Sequence, residues 1–431
     1  MPLKAATESR RLRLSLFTVL YFIQGIPSGL FLISLPGWFA SNGLGKLEIG
    51  KFIAFTTLPW SFKFFFAPLM DRFHFLKMGR RRPWIITTQL GILVSTILMA
   101  AVPDPLNNLW RLSFYGFLLN LFSSIQDLAV DGMSVDVLPQ EDRATAQGFM
   151  VGGQAIGRTL VSAGGALILF RFGYFNFIML TGIIAGLGML FPVFVRERPG
   201  EALLPWTEGR PSEHALKFQI DGWIPLVKNL FRAMAIPSSL ILVLALFVHR
   251  LPVGITRTVY PVVIVQKLGW TNQQFSQLLS LANLAAALFA MLLGPFIVTK
   301  IGRLKTIYVT FGLVAFVYLS SGFFTSYWHE KWFMAGSAIL SEALMVLSNV
   351  AFFAILMELC GKKVAATQFA LYMALHNFGI SGGAWLCGIL EKSFTETQFF
   401  YLCAFFSIAT IAIMLLPNLK RDREKLAALD A

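Results

Sequence analysis

The chain of 431 residues consists mainly of apolar side chains. Apolar residues make up 56% of the sequence, charged residues only 13%, and the mean hydropathy is +0.68. This composition excludes a soluble globular protein and indicates a polytopic membrane protein. A net charge of +14 would suggest nucleic-acid binding in a soluble protein. In a membrane protein the basic residues first report loop orientation, so no nucleic-acid partner is expected.

Twelve apolar segments are long enough to cross a bilayer, which takes about 20 helical residues. The first six lie at 14–40, 47–69, 84–102, 109–133, 144–170 and 174–195. The second six lie at 237–263, 273–298, 305–326, 333–358, 364–390 and 397–418. The first run is far longer than the apolar part of a signal peptide, so we expect it to remain as a span. The sequence therefore predicts an all-α protein with twelve transmembrane helices in two pseudo-symmetric six-helix halves.

Four regions follow from this division. We predict an N-terminal six-helix half at 1–195, a cytoplasmic central loop at 196–236, a C-terminal half at 237–418 and a cytoplasmic tail at 419–431. The central loop has mixed charge, several prolines and a short amphipathic piece. Ile26-Pro27-Ser28-Gly29 is matched 225 residues later by Leu251-Pro252-Val253-Gly254, which favours an internal six-span repeat.

The basic residues outside the spans are distributed unevenly between alternate loops. The termini, the central loop and the loops on the same side carry 25 lysines and arginines, whereas the other loops carry seven. Cytoplasmic loops hold the basic excess in multi-pass proteins, so we predict that both termini are cytoplasmic. Attraction to anionic membrane lipids is a secondary expectation.

The stretch at 126–143, QDLAVDGMSVDVLPQEDR, places carboxylates at the end of an apolar segment. Asp127 and Asp131 are four residues apart and therefore share a helix face. A carboxylate at the edge of hydrocarbon is costly unless it is paired or hydrated, which indicates a polar interior rather than lipid contact. Both are candidates for proton coupling. The alternative for Asp127 is a structural ion pair with Arg158.

The other ionisable side chains in the interior of the spans come from a subset of them. Spans three, six, nine and twelve contribute none of these charges, as expected if the remaining helices line a central aqueous cavity. The predicted substrate cavity comprises Gln24, Arg158, His249, Arg250, Arg257 and His376. His249 and Arg250 precede Pro252-Val253-Gly254, where unwound backbone often lines a site. For Gln24 and His376 the alternative is a hydrogen-bonded packing role.

Two further ionisable residues lie within the spans. Glu342 stands in an otherwise apolar span and is the third proton-coupling candidate. An ion pair with Arg250 or Arg257 would give the same sequence pattern. Lys63 lies eight residues before Asp71, so we expect its ammonium group to extend to the cytoplasmic interface.

A basic loop follows the second span. Asp71 and Arg72 precede Gly79, Arg80 and Arg81 in the sequence DRFHFLKMGRRRPW. An acidic residue at a helix end that faces a basic loop can hold two helices together in one conformational state. We therefore interpret these five residues as a cytoplasmic gate. A basic loop that only sets topology is the alternative, but it does not explain Asp71.

Enzyme activity, cofactors and metals are not expected. The loops contain no nucleophile elbow, phosphate loop or metal-ligand spacing, and the three cysteines lie in or beside apolar runs.

These motifs together resemble the major facilitator superfamily. Asp71, Arg72, Gly79, Arg80 and Arg81 match the family's motif between the second and third spans, although Ala67 replaces its leading glycine, an insertion precedes Gly79 and Thr299 replaces the aspartate in the second half. The stretches QGIP from 24, LPWSFKFFFAPLMDR from 58, GRRRPW from 79 and QDLAVDGMSVDVLPQEDR from 126 are similar to the AmpG-type permeases and the related acetyl-CoA transporters.

The resemblance implies the major facilitator fold and proton-coupled import across a bacterial inner membrane by alternating access. The expected partners are a small-molecule substrate, protons and membrane lipids, and the expected state is a monomer. Cargoes of this branch are anhydro-muropeptides, siderophores and acetyl-CoA, for which the cavity arginines would suit anionic groups. Siderophore uptake is the first alternative, because the chain is short for a muropeptide permease. A lipid flippase on the same fold is the alternative from another class.

Overall fold

Helices account for nearly all of the regular structure in the computed structural model, which describes residues 5–73, 75–139, 142–213, 237–359, 365–417 and 421. The helices before the central loop are α1 (Arg10–Gly29), α2 (Leu35–Ser41), α3 (Lys46–Thr57), α4 (Pro59–Phe62), α5 (Phe66–Arg72), α6 (Arg82–Ala100), α7 (Leu109–Val137), α8 (Arg143–Thr159) and α9 (Gly165–Phe194). Those after it are α10 (Pro237–Val248), α11 (Leu251–Tyr260), α12 (Asn272–Leu292), α13 (Gly294–Ile301), α14 (Arg303–Phe323), α15 (Lys331–Glu358), α16 (Ala365–Ile389) and α17 (Glu396–Met414).

Several predicted spans consist of more than one helical piece. The π-helical turns Leu30–Ser34, Leu160–Gly164 and Pro261–Lys267 continue α1, α8 and α11. Conversely, α9 contains the end of span five and all of span six, and Gly173 breaks it with φ at +79°. Only glycine adopts this φ without strain, and the break falls where the sequence predicts the turn between 170 and 174. The all-α fold with twelve spans is thereby confirmed.

Long and apolar helical segments in the described residues fit membrane crossing. Seven continuous helical segments among these residues are long and apolar enough to cross a membrane. They lie at 10–41, 82–100, 148–194, 237–267, 303–323, 332–356 and 396–414. The segment at 148–194 contains two predicted spans. The second span is divided instead, because Pro59 begins a new helix, α4, after α3.

The chain forms two compact units. The first comprises Met1–Phe31 and Phe65–Asp221, and the second comprises Leu32–Phe64 and Gly222–Ala431. The predicted limits of the four sequence regions stay a prediction. Residues 214–236 of the predicted central loop, and 419, 420 and 422–431 of the tail, lie outside the described residues.

Glycines bring α1 and α8 together in the first unit. Gly25 and Gly29 of α1 face α8, and Gly153 and Gly157 of α8 face α1, so each helix carries a glycine pair four residues apart. A Cβ atom at any of these four positions would lie 2.0–2.5 Å from a carbonyl oxygen of the opposite helix. The two backbones can therefore approach this closely only because no side chain separates them.

The second unit repeats this packing between α11 and α16. A Cβ atom on Gly254 would lie 2.1 Å from the carbonyl oxygen of Ile380, and one on Gly383 would lie 2.1 Å from that of Leu251. Gly29 and Gly254, which correspond in the predicted repeat, thus make equivalent contacts in their own units.

Enlarging Gly157 should destabilise the first unit. In Gly157→Ala the new Cβ would fall 2.0 Å from the backbone oxygen of Phe22, so α1 and α8 must separate, and we expect a loss of about 1–3 kcal/mol. Gly152→Ala is the matched control, because the same helix leaves open space within 4 Å of that position. Thermal melting of both variants in detergent would check this, and equal melting temperatures would contradict the close-packing account.

Candidate functional site

An ion pair joins two membrane-embedded helices in the second unit. Arg257 on α11 donates from Nη2 to Oε1 of Glu342 on α15 at 3.0 Å, and the same nitrogen lies 3.4 Å from Oδ1 of Asn283 on α12. The side chains are 8% and 21% exposed. Of the two partners that the sequence allowed for Glu342, the structure brings Arg257 into contact.

The ion pair lines a small pocket within the second unit. The other residues lining the pocket are Val253, Thr256, Tyr260, Leu279, Tyr318, Ala338, Ser341 and Met345. The polar groups of the pocket are one carboxylate, one guanidinium and the hydroxyls of the surrounding side chains. Such a carboxylate neutralises the guanidinium while ionised, and when it takes up a proton it leaves the cation available to another anion.

Two histidines meet in the second unit. The rings of His249, between α10 and α11, and His376 on α16 have centroids 4.9 Å apart, and both side chains are buried. Nδ1 of His249 donates to the carbonyl of Ala245 at 3.1 Å, and its ring stacks on Phe352 at 4.7 Å. His249 therefore has the packed surroundings that the sequence suggested for His376, and the two residues are neighbours.

Lys63 does not extend to the interface as the sequence suggested. Its side chain is 7% exposed, its ammonium lies 5.6 Å from the centroid of the Trp60 ring, and it acts electrostatically on His376. The lysine directly follows α4 in the divided second span. Arg250, half-buried between α10 and α11, also lies within electrostatic range of His376.

The first unit holds the carboxylates of α7. Tyr21 on α1 donates its hydroxyl hydrogen to Oδ1 of Asp131, and Asp127 lies within electrostatic range of the same tyrosine. Asp127 is buried, whereas Asp131 is exposed. The two aspartates thus share a helix face, as predicted. The sequence analysis did not single out Tyr21 on α1 as their polar partner.

Two predicted cavity residues of the first unit lie close together along α1 and α8. Gln24 is fully buried, and its amide makes no hydrogen bond to the described residues. Arg158 is half-buried near the end of α8, where its backbone faces Gly25 and Gly29. The role of Gln24 in the predicted substrate cavity stays a prediction. The ion pair of Arg158 with Asp127 stays a prediction.

The predicted gate gains an acidic partner from α7. Arg80 Nη1 and Arg81 Nε lie 3.5 and 3.6 Å from Oδ2 of Asp136. The side chains of Asp71 and Arg72 lie outside the described part of the structure, so their contacts stay a prediction.

Glu197, which follows α9, holds the basic loop through its backbone. The amide groups of Arg80 and Arg81 donate to its carboxylate at 3.1 and 2.8 Å, and the amide of Arg82 donates as well. These amides open α6, so a carboxylate there satisfies unpaired N–H groups and complements the helix dipole. Gly79 has φ at +104°, and a Cβ there would lie 2.7 Å from Cδ of Glu197.

Glu201 adds a second carboxylate beside Gly79. A Cβ on Gly79 would lie 3.0 Å from its Oε2, which accepts a hydrogen bond from the amide of Arg198 at 3.0 Å. Burial, and then the charge of Glu197, raise the pKa of Glu201 to about 7. Burial likewise raises the pKa of Glu197, against the backbone hydrogen bonds that lower it.

This arrangement predicts a pH dependence of stability. Glu201 binds its proton more tightly in the folded than in the unfolded chain, so folding stability should fall as the pH rises from about 4.5 to about 7. Glu201→Gln keeps an acceptor and should show a smaller fall between pH 5 and pH 8, as measured by thermal melting. Glu208→Gln, exposed in the same loop, is the control and should behave as the wild type. Identical pH profiles for Glu201→Gln and wild type would contradict the shift.

The sequence analysis also did not predict a cluster of charged side chains on the predicted external side of the second unit. Glu396, at the start of α17, accepts from Nζ of Lys46 at 2.8 Å and from Nζ of Lys267 at 2.7 Å. Glu391 accepts the backbone N–H groups of Lys46 and Leu47, which open α3. These contacts hold the start of α3 within the second unit.

The family model of the Major Facilitator Superfamily matches residues 17–384 and, in a second match, 242–431. The chain therefore belongs to the Major Facilitator Superfamily, and it is a multi-pass membrane transporter.

Bacterial relatives of the chain have the names of permeases and transporters. The anhydromuropeptide permease of Escherichia coli is 25% identical over 376 residues, which cover 85% of this chain and 72% of that protein. A Rickettsia conorii protein named as transporter AmpG 4 is 25% identical over 418 residues, covering 93% of this chain and 96% of the other.

Solved structures support the same fold. The inward-open xylose transporter XylE from Escherichia coli aligns with a TM-score of 0.71 at 14% identity, covering 96% of this chain and 98% of the other.

Proposed function

We propose that the protein imports an anionic, polar solute of the anhydro-muropeptide type across a bacterial inner membrane by alternating access, coupled to protons. The observation that carries the proposal is the Arg257–Glu342 ion pair, which lines a pocket inside a transporter of this family. The similarity to the E. coli anhydromuropeptide permease supports the substrate class.

The coupling follows from the chemistry of the pair. While Glu342 is ionised it neutralises Arg257, and a solute carboxylate would have to compete with it. Protonation of Glu342 removes that competition, so proton and anion occupy the second unit together. A symporter needs this linkage, because each ligand must favour the presence of the other.

Siderophore uptake is the second candidate. The guanidinium of Arg257, once released by Glu342, would accept the carboxylate of a siderophore by the same chemistry as that of a muropeptide. The pair therefore favours an anionic solute in either case, and only transport measurements separate the two cargoes.

Uptake into proteoliposomes distinguishes these candidates. Radiolabelled anhydro-muropeptide and an iron-loaded siderophore are offered in parallel to the purified full chain, with an inward proton gradient or with none. We expect accumulation of the muropeptide only under the gradient. Accumulation of the siderophore alone would transfer the assignment to the second candidate. If neither accumulated, the import proposal would fail, and a lipid-translocation assay would test the flippase alternative.

A further inference from the structure

A polar side chain that the sequence analysis did not single out contacts the ion pair of the second unit. Asn283 lies on α12, is 4% exposed and accepts from Nη2 of Arg257 with its Oδ1 at 3.4 Å. The same nitrogen donates to Oε1 of Glu342 on α15 at 3.0 Å. Because Nη2 carries two hydrogens, one guanidinium nitrogen on α11 serves two acceptors, each on a different helix.

The orientation of the Asn283 amide is fixed by its second hydrogen bond. Nδ2 donates to the backbone carbonyl of Leu279, one turn earlier in α12, at 2.7 Å. An amide turned the other way would place its NH2 group against the guanidinium and its oxygen against the carbonyl oxygen, so both hydrogen bonds would be lost. Asn283 therefore presents an acceptor to Arg257.

The two acceptors of Arg257 respond differently to a proton. Glu342 is an acceptor and a countercharge while it is ionised, and it becomes a much weaker acceptor once it is protonated. The amide of Asn283 does not titrate. Among the described residues that line the pocket, the other titratable groups facing Glu342 are the phenols of Tyr260 on α11 and Tyr318 on α14, which ionise only in alkaline solution. A proton thus removes one acceptor and leaves the other.

A guanidinium that is released from its carboxylate has to stay at the pocket to meet an anion. An arginine side chain without a fixed partner occupies many rotamers, and ordering it again on binding costs affinity. A hydrogen bond to the neutral amide of Asn283 holds Arg257 without neutralising its charge. A second carboxylate at this position would compete with the solute as Glu342 does.

We infer that Asn283 is a positioning residue of the proposed symporter, which keeps Arg257 at the pocket for the solute anion while Glu342 is protonated. The inference rests on the proposed function, because it describes the guanidinium during the coupled binding of proton and anion. It adds α12 to the helices that take part in coupling.

The test moves the carboxylate from one acceptor position to the other. Binding of 1,6-anhydro-N-acetylmuramic acid to the purified full chain is measured by isothermal titration calorimetry at pH 5 and pH 8. Wild type should bind about 10-fold more tightly at pH 5, and Glu342→Gln should bind equally at both. Adding Asn283→Asp to Glu342→Gln should restore the pH dependence, because a titratable carboxylate again faces Arg257. Adding Gln274→Glu instead, at the exposed start of α12, should not restore it.

The calorimetry separates failure of the inference from failure of the proposed function. If Glu342→Gln is independent of pH and stays so after Asn283→Asp is added, the positioning role is overturned and the coupling by Glu342 stands. If Glu342→Gln keeps the wild-type pH dependence, or if wild type does not bind the probe, the proposed coupling or substrate class fails. A measurement without solute then decides on Asn283.

Phenylglyoxal, which modifies arginine, provides this measurement, and it also replaces the calorimetry if a variant with Asn283→Asp does not fold. Mass spectrometry gives the labelling rate of Arg257 relative to that of the exposed Arg111. Asn283→Leu should leave the rate unchanged, because Glu342 still holds the guanidinium. In the Glu342→Gln background Asn283→Leu should raise it about 2- to 10-fold, as for loss of one hydrogen bond. No rise in that background, or an equal rise in Asn283→Leu alone, would overturn the positioning role.

Discussion

Glu342→Gln should abolish proton-driven accumulation while leaving exchange of solute intact. Glutamine resembles the protonated carboxyl, so Arg257 stays available to the anion at every pH and the solute no longer needs a proton to bind. We expect the accumulation ratio under an inward proton gradient to fall to one. Counterflow of labelled against unlabelled solute should continue, because it needs no net proton movement.

A matched control on the same helix separates this result from an effect of removing any carboxylate. Glu330→Gln changes an exposed carboxylate at the start of the same helix, α15, and should accumulate solute as the wild type does. Full accumulation by Glu342→Gln, together with its loss in Asp127→Asn, would move the coupling site to the first unit and contradict the assignment to Glu342.

Arg82→Met, at the start of α6 beside the predicted gate, should cause a larger loss of stability than any single substitution of the gate residues. The Arg82 side chain is fully buried and donates to five backbone carbonyls. The acceptors are the carbonyls of Leu203, Met78 at 3.3 Å, Pro192 at 2.6 Å, Val193 at 2.8 Å and Ala202 at 2.7 Å. Removing the guanidinium leaves these oxygens without their donor, at a cost of about 3–5 kcal/mol.

The geometry of the guanidinium makes the effect specific to arginine. Arg82→Lys should also destabilise the protein, because one ammonium group cannot reach carbonyls on both the end of α9 and the loop beyond it. Arg210→Met, at an exposed position of that loop, is the matched control and should melt as the wild type does. Thermal melting and the monodisperse yield in detergent measure the outcome. Wild-type stability of Arg82→Met would show that the five contacts are not structural.

The lengths of the apolar segments and the positions of proline and glycine were sufficient to predict most of the fold. The twelve spans and the turn near Gly173 follow from local hydrophobicity and from backbone preferences, which act over a few residues. The division of span two at Pro59 could also have been read from the proline. The limits of the two compact units could not be predicted in this way, because the grouping of 32–64 with the second unit depends on contacts between distant parts of the chain.

The sequence indicated which residues belong to the candidate site, but it did not indicate which residues they contact. A costly carboxylate in an apolar span identified Glu342, yet the choice between Arg250 and Arg257 depends on how α11 is rotated against α15. Glu197 and Glu201 were missed, because acidic residues just after a span are ordinary in a surface loop. The two glutamates contact the first residues of α6 only because the loop after α9 folds back against them. An acidic pair in one loop together with a basic run in another could have indicated this contact.

The Tyr21–Asp131 hydrogen bond leaves a second polar region in the first unit. Sequence reasoning gave Asp127 and Asp131 the same coupling role as Glu342. The coupling role of Asp127 and Asp131 stays a prediction, which the Asp127→Asn comparison tests.

The most direct test of proton-coupled import records both ligands in one experiment. Proteoliposomes that contain the purified chain and a luminal pH dye receive external anhydro-muropeptide while labelled uptake is measured in parallel. Proton-coupled import predicts that solute addition acidifies the lumen in step with uptake, and that Glu342→Gln takes up solute only to equilibrium without acidification. Accumulation of solute in wild-type vesicles with no change in luminal pH would contradict it.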